Sequence, residues 1–124
     1  MRINIKPLSV NQCYQGRRFK NNNYKKYEVA LKLLLKPLKL PKIPYCITYK
    51  FGFSSKLSDL DNPVKPLQDI LCRKYGFDDR YIFKIIVEKE IVEKGKEYLD
   101  FKIESLSKDE EIAENQLNIY DLGA

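Results

Sequence analysis

The chain has 124 residues, 44% of them hydrophobic and 32% charged, with a net charge of +6; this suits one globular domain able to bury its own core. It contains no histidine, and its three cysteines, Cys13, Cys46 and Cys72, are widely spaced. That excludes histidine triads, histidine general bases, a disulfide framework and a zinc site, and is the cysteine usage of a reducing compartment. No apolar run approaches the ~20 residues needed to cross a bilayer. The start, Met1-Arg2-Ile3-Asn4-Ile5, lacks a leader pattern, so the expectation is a cytoplasmic protein with no membrane partner.

In chain order, Ile3 and Ile5 alternate with polar residues and predict a short strand over 2–6. Residues 7–23 are polar, rich in Asn, Gln and Gly, and carry Arg17, Arg18 and Lys20; they read as a long loop, a kind of segment that is often functional. A helix is predicted from Tyr24 to Leu35, with Tyr27, Leu31 and Leu34 on one face and Pro37 ending it. Tyr45, Ile47, Tyr49, Phe51 and Phe53 alternate with smaller or polar residues and predict a strand.

A second helix is expected between Asn62 and Tyr75, with Val64, Leu67 and Leu71 as its buried stripe and Gly76 as its stop. Tyr81, Phe83, Ile85 and Val87 alternate, as do Leu99, Phe101 and Ile103 beyond the turn at residues 93–96; the pair reads as a β-hairpin. The order β-α-β-α-β-β implies one small α/β (α+β) domain, with two helices on a single mixed sheet. Residues 1–104 form that domain, and residues 105–124 an acidic tail that is either a marginal helix or disordered.

Charge divides unevenly along the chain. Residues 1–56 hold thirteen Lys/Arg and one acid, Glu28, whereas residues 105–124 hold one basic and five acidic residues. A basic half of this kind points to a polyanionic partner, most simply nucleic acid. Arg17, Arg18, Lys20, Lys25 and Lys26, in the loop and first helix, are the candidate phosphate contacts; a solvated basic surface is the plainer use of the same residues.

The segment richest in chemistry is Asp59-Leu60-Asp61-Asn62-Pro63-Val64-Lys65, followed by Asp69 and then Gly76-Phe77-Asp78-Asp79. If the chain stays extended through Asp61, residues two apart face one way, so Asp59 and Asp61 present both carboxylates together. Lys65, in the first turn of the helix, could reach back to them, and the turn at Gly76 returns Asp78 and Asp79. Clustered carboxylates suit Mg²⁺ or Mn²⁺, hard cations with oxygen ligands. Each residue also has a purely structural use: Asp61 or Asn62 as a helix cap, Asp78 in a turn, Lys65 and Asp69 as an i,i+4 ion pair.

Taken together, these residues resemble the signature of the RusA family of Holliday-junction resolvases. The acidic segment is joined by Pro7-Leu8-Ser9-Val10-Asn11-Gln12-Cys13-Tyr14, which is similar to the Pro-x-Ser-x-Asn-x-x-Tyr motif that follows the first strand in that family. The likeness covers roughly residues 3–104. It implies a homodimeric, Mg²⁺-dependent endonuclease, with Mn²⁺ able to substitute, that cuts four-way or other branched DNA by paired, symmetric nicks. Members are often encoded by phages or prophages.

Carried over by position, the metal-binding aspartates are Asp59, Asp61 and Asp79, and the catalytic lysine is Lys65. Asp78, Asp69 and Asn11 match motif positions of lesser rank. Pro63 and Pro66, which bracket the start of the helix, and the long tail depart from the pattern. The rival readings are a non-catalytic branched-DNA-binding protein of the same fold and a metal-stabilised structural domain.

Overall fold

The computed structural model describes residues 1–12, 14–15 and 19–106. The elements are β1 (Arg2–Ile3), a 3₁₀ turn (Val10–Gln12), β2 (Tyr14–Gln15), β3 (Phe19–Lys20), α1 (Asn22–Leu34), β4 (Tyr45–Phe53), α2 (Val64–Tyr75), a second 3₁₀ turn (Asp79–Tyr81), β5 (Ile82–Ile91) and β6 (Tyr98–Ser105). β2 and β3 pair with each other, so the segment read as loop contains a small antiparallel ribbon. Arg17, Arg18 and the tail from residue 107 lie outside the described residues.

The expectation of two helices and one mixed sheet holds. The four-stranded sheet has the order β1-β6-β4-β5. β4 is its hub, parallel to β5 on one side and antiparallel to β6 on the other. The expected hairpin of β5 and β6 is therefore wrong: β4 lies between them. The reason is the β4-α2-β5 crossover, which returns β5 parallel to β4 and leaves the other side of β4 open to β6.

Tyr45, Ile47, Tyr49, Phe51 and Phe53 are all buried beneath the helices, as the alternation of β4 predicts. They pack with Tyr24, Tyr27, Leu31, Leu67, Ile70, Leu71, Leu99 and Phe101 in one core. Asn21 caps α1 by accepting the Tyr24 amide at 3.1 Å, and Leu35, extended in conformation, ends it. The buried face of α1 runs through Tyr24, Tyr27 and Leu31 to Leu35, whereas Leu34 is exposed; those four side chains span an arc of about 80°, and Leu34 falls about 20° outside its edge.

α2 buries Pro66, Leu67, Ile70 and Leu71, with Val64 only half-buried, and ends on Gly76 at φ 71°, a left-handed conformation that favours glycine. Arg73 of α2 ties the helices together through Glu28 and the Tyr24 hydroxyl. No helix among the described residues is long and apolar enough to cross a membrane.

Candidate functional site

The link from α2 to the rest of the site starts at its N-terminal approach. β4 ends at Phe53, and residues 54–63 form a loop of bends and turns before α2. The chain is thus not an extended strand through Asp61, and strand alternation does not set Asp59 and Asp61 on a shared face. The two acids are neighbours on an exposed loop instead. Asp59 accepts the Asn62 side-chain amide at Oδ2, 3.0 Å away. The Asp61 carbonyl accepts the Val64 amide at 3.1 Å, so Asp61 supports the start of α2 through its backbone, with its side chain exposed. The residue at the cap position is Pro63, which makes no side-chain cap.

The N-terminal motif docks on this loop. Val10 donates its amide to the carbonyl of Asn62 at 2.9 Å. Ser9 shapes the turn, its hydroxyl accepting the Asn11 amide at 3.1 Å and its carbonyl accepting the Gln12 amide at 2.9 Å. Between the two segments lies a cleft of about 340 Å³, lined by Lys6, Ser9, Gln12, Ser54, Ser55, Ser58, Asp59, Asn62 and Glu97 among others; its volume falls in the range of small-ligand sites. Leu57, at its rim, is 92% exposed. Asn11 is exposed in the 3₁₀ turn beside the cleft.

Asp79 does not join Asp59 and Asp61 within one protomer. β4 and β5 run parallel, with Tyr45 opposite Ile82 and Phe53 opposite Ile91. The Asp59 loop leaves the C-terminal end of β4, whereas Asp79 precedes the N-terminal end of β5. The twelve residues of α2 separate the two ends by about 18 Å. Asp79 shares a shallow depression with Asp69, Cys72, Arg73 and Asp78. There, burial first and then the charges of Asp79, Asp69 and Asp78 push the Cys72 thiol up to about 11. Asp78 caps the second 3₁₀ turn, accepting the Arg80 amide at 3.0 Å. No group of three His, Cys, Asp or Glu among the described residues is arranged to hold a metal ion.

Lys65, the second residue of α2, is exposed and forms an ion pair with Asp69 at 3.3 Å. Lys25 and Lys26 are exposed on α1. Of the remaining basic candidates, only the backbone of Lys20 is described. The structure adds residues that sequence reasoning missed. Glu97, from the connection before β6, lines the cleft, and Lys89 of β5 donates to the Ser58 carbonyl at 3.0 Å. Gln12 lies inside the N-terminal motif and Lys6 directly before it, so both could have been found there; nothing in the pattern of the chain marks Glu97 or Lys89.

No family model matches the chain, and no curated protein matches it.

Proposed function

We propose that the chain is a divalent-metal-dependent endonuclease of the RusA type, acting as a homodimer on four-way or other branched DNA. The observation that supports it best is the 2.9 Å hydrogen bond between Val10 and Asn62. It brings two motifs, far apart in the sequence, to opposite walls of one cleft that contains Asp59. A site built from both motifs would need the two segments to meet in this way.

The donor set fits Mg²⁺ or Mn²⁺. Asp59 and Asp61 are exposed carboxylates on one loop, with serine hydroxyls close by in the cleft wall, and Mg²⁺ is commonly held by one or two carboxylates together with waters and substrate phosphates. Bound there, the ion supplies Lewis-acid polarisation of a phosphoryl oxygen and offsets charge on the leaving oxygen. Lys65, four residues beyond Asp61 at the start of α2, would supply the cation that stabilises charge developing at the phosphorus centre. Lys25 and Lys26 offer phosphate contacts from α1, each adding about 0.9 to the log–log salt slope on duplex DNA if it neutralises one phosphate.

A non-catalytic branched-DNA-binding protein is the second reading, favoured by the separation of Asp79 from the other acids in a single protomer. The deciding experiment is cleavage of a labelled synthetic four-way junction and a matched linear duplex, in Mg²⁺, Mn²⁺ and EDTA. Metal-dependent paired nicks on the junction are expected, lost in Asp61→Asn while junction binding is kept or strengthened. Tight binding without cleavage in either metal would select the second reading.

A further inference from the structure

β5 is an edge strand, paired only with β4 among the described residues. It is ten residues long and exposed along nearly all of its length, with Phe83, Ile85, Ile86 and Ile91 between 36% and 43% exposed. A long apolar edge with open backbone groups is a template for pairing with another strand. Val92 donates to the Phe53 carbonyl, so by strand alternation the even-numbered residues of β5 turn their backbone groups toward β4. Ile85 and Val87 turn theirs to the open edge.

We propose that β5 pairs antiparallel with the β5 of a second copy of this chain, in a register centred on Ile86, to make one continuous sheet across a two-fold axis. The strand is self-complementary. Lys84-Ile85-Ile86-Val87-Glu88 is basic at one end, acidic at the other and apolar between. Reversed against itself about Ile86, the strand sets Lys84 opposite Glu88 of the partner subunit, and Glu88 opposite Lys84 of the partner subunit. Ile86 meets Ile86 of the partner subunit, and the open amides and carbonyls of Ile85 face those of the partner's Val87. Opposite charges directly across a ladder stabilise it and like charges destabilise it. Moving the centre by one residue, to Val87, sets the apolar Ile86 opposite the partner's Glu88, and Ile85 opposite the partner's Lys89.

The pairing names the surface for the homodimer that the proposed function requires, but it rests on the edge itself and stands without the nuclease reading. It also has a consequence for that reading. An antiparallel junction of two β5 strands brings the N-terminal end of one, which Asp79 precedes, to the end of the joined sheet from which the partner's Asp59 loop emerges. The acids held apart in one protomer are brought to the same end of the dimer.

Light scattering and sedimentation on the 124-residue chain test the pairing. The wild type is expected to have twice the mass of the 14.7 kDa chain at micromolar concentration. Lys84→Glu and Glu88→Lys should each associate about tenfold more weakly, since each turns both ion pairs into repulsions. Mixing those two variants should restore a one-to-one dimer, which a merely misfolded variant cannot do. Ile86→Cys should form an inter-subunit disulfide under mild oxidation, because Cα atoms in a non-hydrogen-bonded antiparallel pair are about 4.5 Å apart, within disulfide reach. A wild-type monomer, a dimer indifferent to both charge reversals, or a mixture that stays monomeric would overturn the proposal. A monomer that cuts junctions would sink this interface alone, and a dimer of this register that cuts nothing would sink the nuclease reading alone.

Discussion

Lys89 of β5 donates its ammonium to the carbonyl oxygen of Ser58 at 3.0 Å, fastening the loop that carries Asp59 to the edge strand of the sheet. Lys89 sits opposite Phe51 in the β4–β5 ladder, on the helix side, so its stem rises past the sheet to the loop above. The same loop has a weaker bond of its own, from the Ser58 amide to the Ser55 carbonyl at 3.4 Å. Lys89 is thus a positioning residue for the acidic loop.

Lys89→Met keeps the stem and removes the charged donor. The expected result is faster amide exchange across residues 55–61, with global stability changed by no more than about 1 kcal/mol, as for one exposed hydrogen bond. Junction cleavage should fall while binding is retained. Hydrogen-exchange mass spectrometry reads the loop directly. Unchanged exchange there would remove Lys89 from any role in holding Asp59.

Gly52 is constrained by a ring rather than by its backbone. A Cβ at that position would lie 2.4 Å from Cδ1 and Cε1 of Tyr98, and the ring has little freedom to retreat. The Arg2 guanidinium lies 3.7 Å from its centroid, and its hydroxyl donates to Glu90 at 2.6 Å. Gly52→Ala should destabilise the fold by about 1–3 kcal/mol, the usual range for overpacking. Urea unfolding measures this, and an unchanged midpoint would mean the ring moves freely.

How far the sequence carried the reading depends on what kind of information each feature needs. Alternation correctly identified the buried side chains of β4, and Leu99 and Phe101 in β6, because burial is a local, period-two property of a strand; Ile103 is only half-buried, and Tyr98, off that face, is buried as well. The same alternation in β5 misled, since it reports a face and not a partner. Nothing local to Phe83 or Ile85 tells that β4 lies between β5 and β6, or that the helices leave the edge uncovered. The helix stop at Gly76 was legible because its positive φ is a local demand met best by glycine. Leu34 was placed on the buried face because it lies only about 20° from Tyr27 around the helix, but the buried arc runs the other way, through Leu31 to Leu35, and leaves Leu34 just outside its edge.

For the site, the meeting of Val10 with Asn62 is a long-range contact that no spacing predicts; loop length and the acid cluster marked the two segments separately, and only the resemblance linked them. The position of Asp79 was misjudged on the supposition that neighbouring elements bring it back to the first two acids. A parallel crossover returns the chain to the end of the sheet from which β4 began.

Tyr98 and Glu90 form a pair whose titrations oppose one another. The hydrogen bond from Tyr98, followed by the bond and charge of Lys50, holds the Glu90 carboxyl below the usual carboxylate range. Burial, and then the bond to Glu90, pushes the Tyr98 phenol up to about 12. A depressed carboxyl stabilises the fold above its unfolded value, near pH 4.3, and that contribution is lost as pH falls through the lower folded value. A raised phenol stabilises the fold below pH 10 and is lost as pH rises from about 10 to about 12. Tyr98→Phe should bring the Glu90 titration back toward ordinary glutamate and remove the alkaline contribution of residue 98. Carboxyl NMR titration follows the first effect; a Glu90 titration unmoved by the variant would show that the cations Lys50 and Arg2 hold it without the phenol.

The last prediction joins the site to the two-fold pairing of β5, and depends on both proposals. Within one protomer the length of α2 keeps Asp79 from Asp59 and Asp61, so a site using all three must draw Asp79 from the partner. Asp61→Asn and Asp79→Asn should each be inactive alone. In a mixed dimer one site combines both lesions, while the other combines the intact Asp59–Asp61 loop of one chain with the intact Asp79 of the other. Mixing the two inactive variants should therefore restore cleavage, approaching one working site in each mixed dimer and appearing as single nicks instead of paired ones. If Asp79 served the acids of its own chain, every site in the mixed dimer would carry one lesion and the mixture would stay as inactive as its components. Nicking of a labelled junction, with each variant alone and with the two refolded together, separates these outcomes, and an inactive mixture of confirmed mixed dimers would exclude the shared site.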